Sequence, residues 1–224
     1  MGLIIDVTKR KPPVSVGNKA VNLRKLAGIG MKTPQTYAIK WEAYQRYVKD
    51  DDRLIDELKT EIAETIDPGK TYAVRSSANI EDSMDRSFAG QFKSVLHVQG
   101  VDGVLQAVWA VWSSAQTPAV KTYLERHNVP TNELAMAVIV QEMVKPVLSG
   151  VALSRNPVTG GDDIVVEAVK GDGTQLVQSG ATPLRWVNKK GYWVEKANGK
   201  AADVPLSLIE EVISGTRDIA QRFR

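Results

Sequence analysis

The stretch Tyr72-Ala-Val-Arg-Ser-Ser-Ala-Asn-Ile-Glu-Asp-Ser-Met-Asp-Arg-Ser-Phe-Ala-Gly-Gln91 gathers side chains that could hold a polyphosphate. An apolar strand-like run, Tyr72 to Val74, delivers Arg75 into what reads as a polar turn, Ser76 to Asn79. Arg presents a planar fork of donors that stays charged. The small-residue loop Ser87-Phe88-Ala89-Gly90 would let backbone N–H groups approach an anion. An Arg-anchored surface loop with no ligand has the same local appearance, so both readings stand at this point. Glu81 and Asp82 are of the right type for magnesium, which takes one or two carboxylates besides phosphate oxygens. Adjacent side chains point apart, however, and a loop-positioning role fits them as well.

A second candidate cation is Lys19. Val16, Ala20, Leu23 and Ala27 follow helical spacing, with Ser15 expected as the cap and Gly28 and Gly30 as the stop. Lys19 then lies in the first turn, where the macrodipole opposes a cation. An anion gathered at that N-terminus would explain it, as would plain solvation.

The elements that must position these residues alternate in type along the chain. Trp41 to Lys49 and Arg53 to Thr65 read as helices separated by Asp50-Asp51-Asp52, and Asp67-Pro-Gly69 turns into the Tyr72 strand. Phe92 to Val98 alternates as a strand, with Phe92, Ser94, Leu96 and Val98 on one side. Val104 to Val111 and the run from Pro118 to Arg126 are helical, and Trp109 and Trp112 share a helix face as core residues. Glu133 to Met143 and Val147 to Leu153 suggest a hairpin-like pair around Lys145-Pro146. Ile164 to Val169, Pro183 to Val187 and Tyr192 to Glu195 are further strands. Leu206 to Phe223 is an amphipathic helix with Ile209, Val212, Ile213, Thr216, Ile219 and Phe223 on its apolar side. This order predicts an α+β fold with mixed or antiparallel sheets rather than a regularly wound parallel sheet.

Composition narrows the function classes. The 224 residues are 43% hydrophobic and 25% charged, enough to build a sizeable core. No apolar run approaches the roughly 18 residues of a membrane span, and the N-terminus turns acidic too soon for a signal peptide. The absence of cysteine excludes disulfides, thiol catalysis and cysteine-based zinc sites, and fits a cytoplasmic location. The 29 basic and 26 acidic residues leave a net charge of +3, spread in brief clusters without interleaved aromatics. That pattern argues for solvated surface and against a nucleic-acid face.

The Arg75 run resembles the AVRSSAxxED…SFAGQ signature of the nucleotide-binding domain in the phosphoenolpyruvate synthase and pyruvate phosphate dikinase family. Rifampin phosphotransferases and glucan water dikinases share that domain. Val16-Gly-Asn-Lys-Ala-Val-Asn-Leu-Arg-Lys-Leu26 resembles the family's opening GGKGANLAEL, and Gly30 to Ile39 resembles its strand containing a V-P-x-G-F motif. Val140-Gln-Glu-Met-Val144 is similar to VQxMV, Ser149 to Pro157 to SGVxFTxxP, and Gly171 to Pro183 to a degraded GLGExVVxGxVxPD. The matches are collinear from about residue 14 to 187.

The resemblance implies an ATP-grasp in which two α+β lobes clamp ATP. One lobe would comprise 1–99 with 181–224 and carry the phosphate-binding Lys and Arg; the other would be 100–180, on the adenine side. Carried over by motif, Lys19 and Arg75 hold the ATP phosphates, and Ser87, Ala89 and Gly90 close over the triphosphate. Gln141, Glu142, Met143 and Val144 would form an edge that meets adenine, although by themselves the residues Val140 to Val144 read as a plain buried strand. In the family a phosphohistidine on a separate domain carries the phosphoryl group. Neither His97 nor His127 lies in the TxSH-like context of that carrier, and His127 reads as a helix C-terminal cation.

Three departures shape the expectation. Pro118 stands where the family has an Arg, the GLGE segment has become Gly171-Asp-Gly-Thr174, and the final helix reaches Arg224 without the following Q-D-I-E-W. That motif supplies the family's magnesium-binding Glu. The resemblance therefore implies ATP and Mg²⁺ as cofactors, with the metal ligands outside this chain. It also implies a second domain or chain bearing D-I-E-W and a phosphohistidine. The leading reading is the ATP-binding part of a phosphoenolpyruvate synthase-like phosphotransferase. The alternatives are part of a rifampin-type antibiotic phosphotransferase, or a non-catalytic interaction module that kept the fold.

Overall fold

The structure, a computed structural model, describes residues 2–9, 12–80, 92–127, 129–171, 173, 182–195 and 204–223. The chain divides into two compact units, Met1–Met143 and Val144–Arg224. The first contains β1 (Ile4–Asp6), α1 (Gly17–Gly28), β2 (Thr36–Ile39), α2 (Trp41–Val48), α3 (Leu54–Thr65), β3 (Thr71–Ala78), β4 (Ser94–Gln99), α4 (Gly100–Ser114), α5 (Pro118–Arg126) and β5 (Met136–Glu142). Its strands form one antiparallel sheet in the order β1-β2-β5-β3-β4.

The apolar run Met136-Ala-Val-Ile-Val140 explains why β5 is the central strand: it is buried on both faces. Met136, Val138 and Val140 pack with Tyr72, Val74 and Trp112 in a large core roofed by α2 to α5. Ala137 and Ile139 face the opposite way, into a smaller core with Val16, Ala20 and Ala38 beneath α1. Trp112 is fully buried, and its indole N–H donates to the Met136 carbonyl at 3.2 Å. The α5 start explains Pro118: Thr117 caps the helix through its hydroxyl, and Pro118 occupies the first turn, where a missing N–H costs nothing.

The second unit contains β6 (Leu148–Leu153), β7 (Asp163–Lys170), β8 (Leu184–Lys189), β9 (Tyr192–Glu195) and α6 (Leu206–Arg222). Its strands form an antiparallel meander in chain order. Ile209 and Ile213 of α6 bury against Ile164, Val166, Ala168 and Trp186. The buried stripe is narrower than the helix periodicity suggests, since Val212 and Phe223 stay exposed. Both sheets are antiparallel, so the α+β expectation holds. No helix among the described residues is long and apolar enough to cross a membrane.

Several local expectations differ from the structure. Ser15 does not cap α1; it lies in a short 3₁₀ turn, Val14–Val16, and the residue at the cap position is Val16. Ser76 to Ala78 continue β3 instead of turning, because they pair with Val138, Ala137 and Met136 of β5. In β4, Leu96 and His97 together oppose Ala73, a β-bulge with His97 at φ 58°. The bulge shifts the phase of the strand, so Val95 and Val98 turn inward and Leu96 is left 41% exposed. Glu133–Met143 and Val147–Leu153 form no hairpin. Both edges of β5 are already occupied by β2 and β3, and β6 pairs with β7 in the other sheet. For the same reason, the compact units part at 143/144 and differ from the expected lobes 1–99 with 181–224 and 100–180.

The β1 end is tied down by Asp6. Its carboxylate accepts from the Thr8 N–H and hydroxyl at 3.0 and 2.6 Å, the Lys9 N–H at 3.2 Å and the Gln35 amide at 2.9 Å. Burial raises the Asp6 pKa, but the hydrogen bonds from Thr8, Gln35 and Lys9 outweigh it and hold it below its ordinary value. A depressed carboxyl contributes stability above its unfolded pKa and loses it as pH falls through the folded one. The urea-unfolding stability of the wild type relative to Asp6→Asn should therefore be constant from neutrality to about pH 5 and shrink below about pH 4. A difference independent of pH would show that the charge is not what matters.

Candidate functional site

Lys19 and Arg75 are brought together by one close approach of helix to strand. Helix α1 begins at Gly17 with φ 74°, in the left-handed region. A Cβ at Gly17 would strike both the Ser77 hydroxyl and the Ser77 carbonyl, so only glycine fits. The Ser77 hydroxyl donates to the Val16 carbonyl at 2.8 Å. Behind this contact, Val16 and Ala20 are fully buried. One turn into the helix, Lys19 Nζ donates to the Ser76 carbonyl at 3.3 Å. The first turn of α1 is thus fastened to β3 immediately beside Arg75.

Strand alternation sets the side-chain directions. Tyr72, Val74 and Ala78 enter the large core, which leaves Arg75 and Ser77 on the α1 face of the sheet. Arg75 pairs across to Ile139 on one side and Ser94 on the other, and its side chain is exposed. It forms no ion pair among the described residues. One face of the sheet therefore carries an exposed guanidinium and, from the adjacent helix, an ammonium that donates to a neutral carbonyl. Such a pair suits a multiply charged anion: both groups donate only, and both strengthen when the acceptor is charged.

The proposed adenine stretch is more committed than a free strand edge. Gln141 and Glu142 lie in the central strand, not at an edge. The Glu142 N–H donates to the Gln35 carbonyl at 2.9 Å and the Met143 N–H to the Thr71 carbonyl at 2.8 Å. The Glu142 carboxylate pairs with Lys70 at 2.9 Å and holds that ammonium above its usual pKa. Met143 Sδ accepts from the His97 N–H at 3.2 Å, a contact created by the β4 bulge. Gln141 keeps its side chain on the α1 face, where its amide donates to the Thr36 hydroxyl at 2.9 Å. Val144 is exposed and begins the second unit.

Ser87, Ala89 and Gly90 lie outside the described residues, as do Glu81, Asp82, Asp172 and Thr174. Lys19, Arg75, Ser77 and Gln141 belong to this face, and none of these four is a carboxylate. They do not fit magnesium, which requires oxygen ligands and normally a carboxylate. Reading the sequence missed Gly17, Gln35 and Thr36 as positioning groups and mistook Ser76 and Ser77 for a turn. Their partners lie 27 to 105 residues away, so no local pattern marks them. The Gly17→Ala variant should lose about 2–4 kcal/mol in urea unfolding, from left-handed strain plus overpacking against Ser77. A loss below about 0.5 kcal/mol would mean that the helix is not held at this distance.

Comparison with known proteins identifies the family of the chain. Residues 52–207 match the family described as pyruvate phosphate dikinase, AMP/ATP-binding domain. The chain is 30% identical over 231 residues to an uncharacterized phosphotransferase, YvkC, of Bacillus subtilis, an alignment covering 92% of this chain and 28% of that protein. It is 30% identical to phosphoenolpyruvate synthase of Aeropyrum pernix, over 83% of this chain and 28% of the relative. Rifampicin phosphotransferase of Streptomyces sviceus is 30% identical over 91% of this chain and 28% of its own length. The chain thus spans little more than a quarter of these relatives. The extent of the family match shows that the chain belongs to the pyruvate phosphate dikinase AMP/ATP-binding domain family.

Proposed function

We propose that this chain is the ATP-binding part of a dikinase-type phosphotransferase, in which ATP phosphorylates a histidine carried by another domain or chain. The observation behind this reading is the Lys19 contact to the Ser76 carbonyl, which sets an ammonium beside the Arg75 guanidinium on one sheet face. Phosphoryl transfer asks the protein chiefly for positioning and for charge that complements the phosphoryl oxygens. Lys19 would exchange a neutral carbonyl for a phosphate oxygen, and Arg75 would add a two-pronged contact. Ser87, Ala89 and Gly90 would close over the triphosphate. Gln141 to Val144 would flank adenine, with Gln141 and the thioether of Met143 as its side-chain contacts.

In this reading the fold is an ATP-grasp, and magnesium accompanies ATP with carboxylate ligands from outside the Lys19–Arg75 set. The partner is a domain or chain bearing the D-I-E-W segment and the carrier histidine, and the location is cytoplasmic. A second reading, the nucleotide domain of an antibiotic phosphotransferase, has the Streptomyces sviceus relative behind it. Assaying pyruvate against rifampicin as acceptor in the complete system separates the two.

Calorimetry with ATP and Mg²⁺ tests the phosphate assignment. Lys19→Ala and Arg75→Ala should each weaken binding about 10- to 100-fold, the effect of losing a charge-assisted hydrogen bond. Undiminished affinity in both variants would sink the assignment. No heat from the wild type, even with a partner supplying the carrier histidine, would favour a non-catalytic interaction module.

A further inference from the structure

The first unit holds a second concave site, on the opposite side of the sheet from α1. It is a cleft of about 590 Å³ lined by α2, the α4–α5 junction and the turn before β5. That volume lies within the usual range for small-molecule sites. Tyr44, Val48, Ala115, Leu124 and Leu134 supply its apolar wall. The polar lining is Gln45, Lys49, Gln116, Lys121 and Thr131, so two ammonium groups face the cleft and no lining residue is acidic.

Tyr44 makes this more than a surface depression. Only 5% of the residue is exposed, and its ring is wedged against Trp112 and Tyr47 at centroid distances of 6.0 and 6.3 Å. Its hydroxyl has no protein hydrogen-bond partner among the described residues and is not one of the fully buried polar atoms, so it is accessible from the cleft that Tyr44 lines. Burial, with the neighbouring Tyr47, pushes the Tyr44 phenol up, so it stays a donor at neutral pH. Neither Lys49 nor Lys121 forms an ion pair among the described residues. The cleft therefore combines an apolar wall, an accessible phenol donor and two cations with no ion-pair partner among the described residues.

We infer that this cleft binds a small organic anion: an apolar, preferably aryl, body against Tyr44, Val48 and Leu134, with a carboxylate reached by the Tyr44 hydroxyl, Lys49 and Lys121. The inference is independent of the nucleotide site, because no residue is shared between the two.

The test is a ¹H–¹⁵N NMR titration of the full chain with 1-naphthylacetate, and with the uncharged 1-naphthylacetamide as its control. Saturable shifts are expected at the amides of Gln45, Lys49, Gln116, Lys121 and Thr131, and not at Lys19 or Arg75. The acid should bind about 5-fold or more tightly than the amide, and Lys49→Gln with Lys121→Gln should remove that preference. Tyr44→Phe should weaken the acid several-fold without lowering stability in urea, since the hydroxyl has no protein partner to lose. Shifts confined to the Lys19–Arg75 face, or none at millimolar probe, would overturn the inference. Equal affinity for acid and amide would overturn the anion assignment.

Discussion

The close approach of the α1 N-terminus to β3 is the constraint on which the proposed phosphate site depends. A helix can come within hydroxyl-to-carbonyl distance of a strand only where a side chain is missing, and Gly17 supplies that gap. Its left-handed φ also lets the 3₁₀ turn Val14–Val16 pass directly into the helix. Once the approach is made, two hydrogen bonds keep it: Ser77 to Val16, and Lys19 to Ser76. The small apolar core of Val16, Ala20, Ala38, Ala137 and Ile139 seals it from behind. At the helix start Lys19 finds an acceptor on β3, the Ser76 carbonyl.

The central place of β5 is the second determinant. A strand buried on both faces must be apolar on both, which its Met136 to Val140 run satisfies. With β2 and β3 on its two sides, it draws the N-terminal strands, Arg75 and the proposed adenine stretch into one sheet. The connections reach the chain start. Asp6 holds Gln35, whose carbonyl takes the Glu142 N–H, and the neighbouring Thr36 takes the Gln141 amide. The stretch beside the proposed base is thereby held from β1 and β2, residues more than a hundred positions earlier.

Much of the element order was legible in the sequence, because periodicity and turn chemistry are local. The helices α2, α3, α5 and α6 and the strands β7 to β9 begin and end close to where their sequence patterns place them, and Pro118 and Asp67-Pro-Gly69 act as such residues do in isolation. What was not legible depended on pairing. The hydroxyls of Ser76 and Ser77 suggest a turn until β5 is laid beside them. The β4 alternation fails because one bulge inserts a residue, and a bulge has no signature in His97 itself. The expected hairpin fails because a tight reversal at Lys145-Pro146 says nothing about whether β5 still has an open edge.

The same division runs through the site. Sequence alone determined that this is an α+β chain and that Lys19 and Arg75 sit in motifs resembling those of a nucleotide-binding family, since motif and spacing are properties of the chain. Only tertiary structure decided that the two cations share one sheet face and that Glu142 is engaged by Lys70. It alone decided that the Glu142 and Met143 N–H groups are spent within the protein, and that Tyr44 lines a cleft beside Lys49 and Lys121. Each of these depends on which distant backbone or side chain arrives next to the group, and hydrogen-bond commitment is settled by that neighbour rather than by the residue's own type.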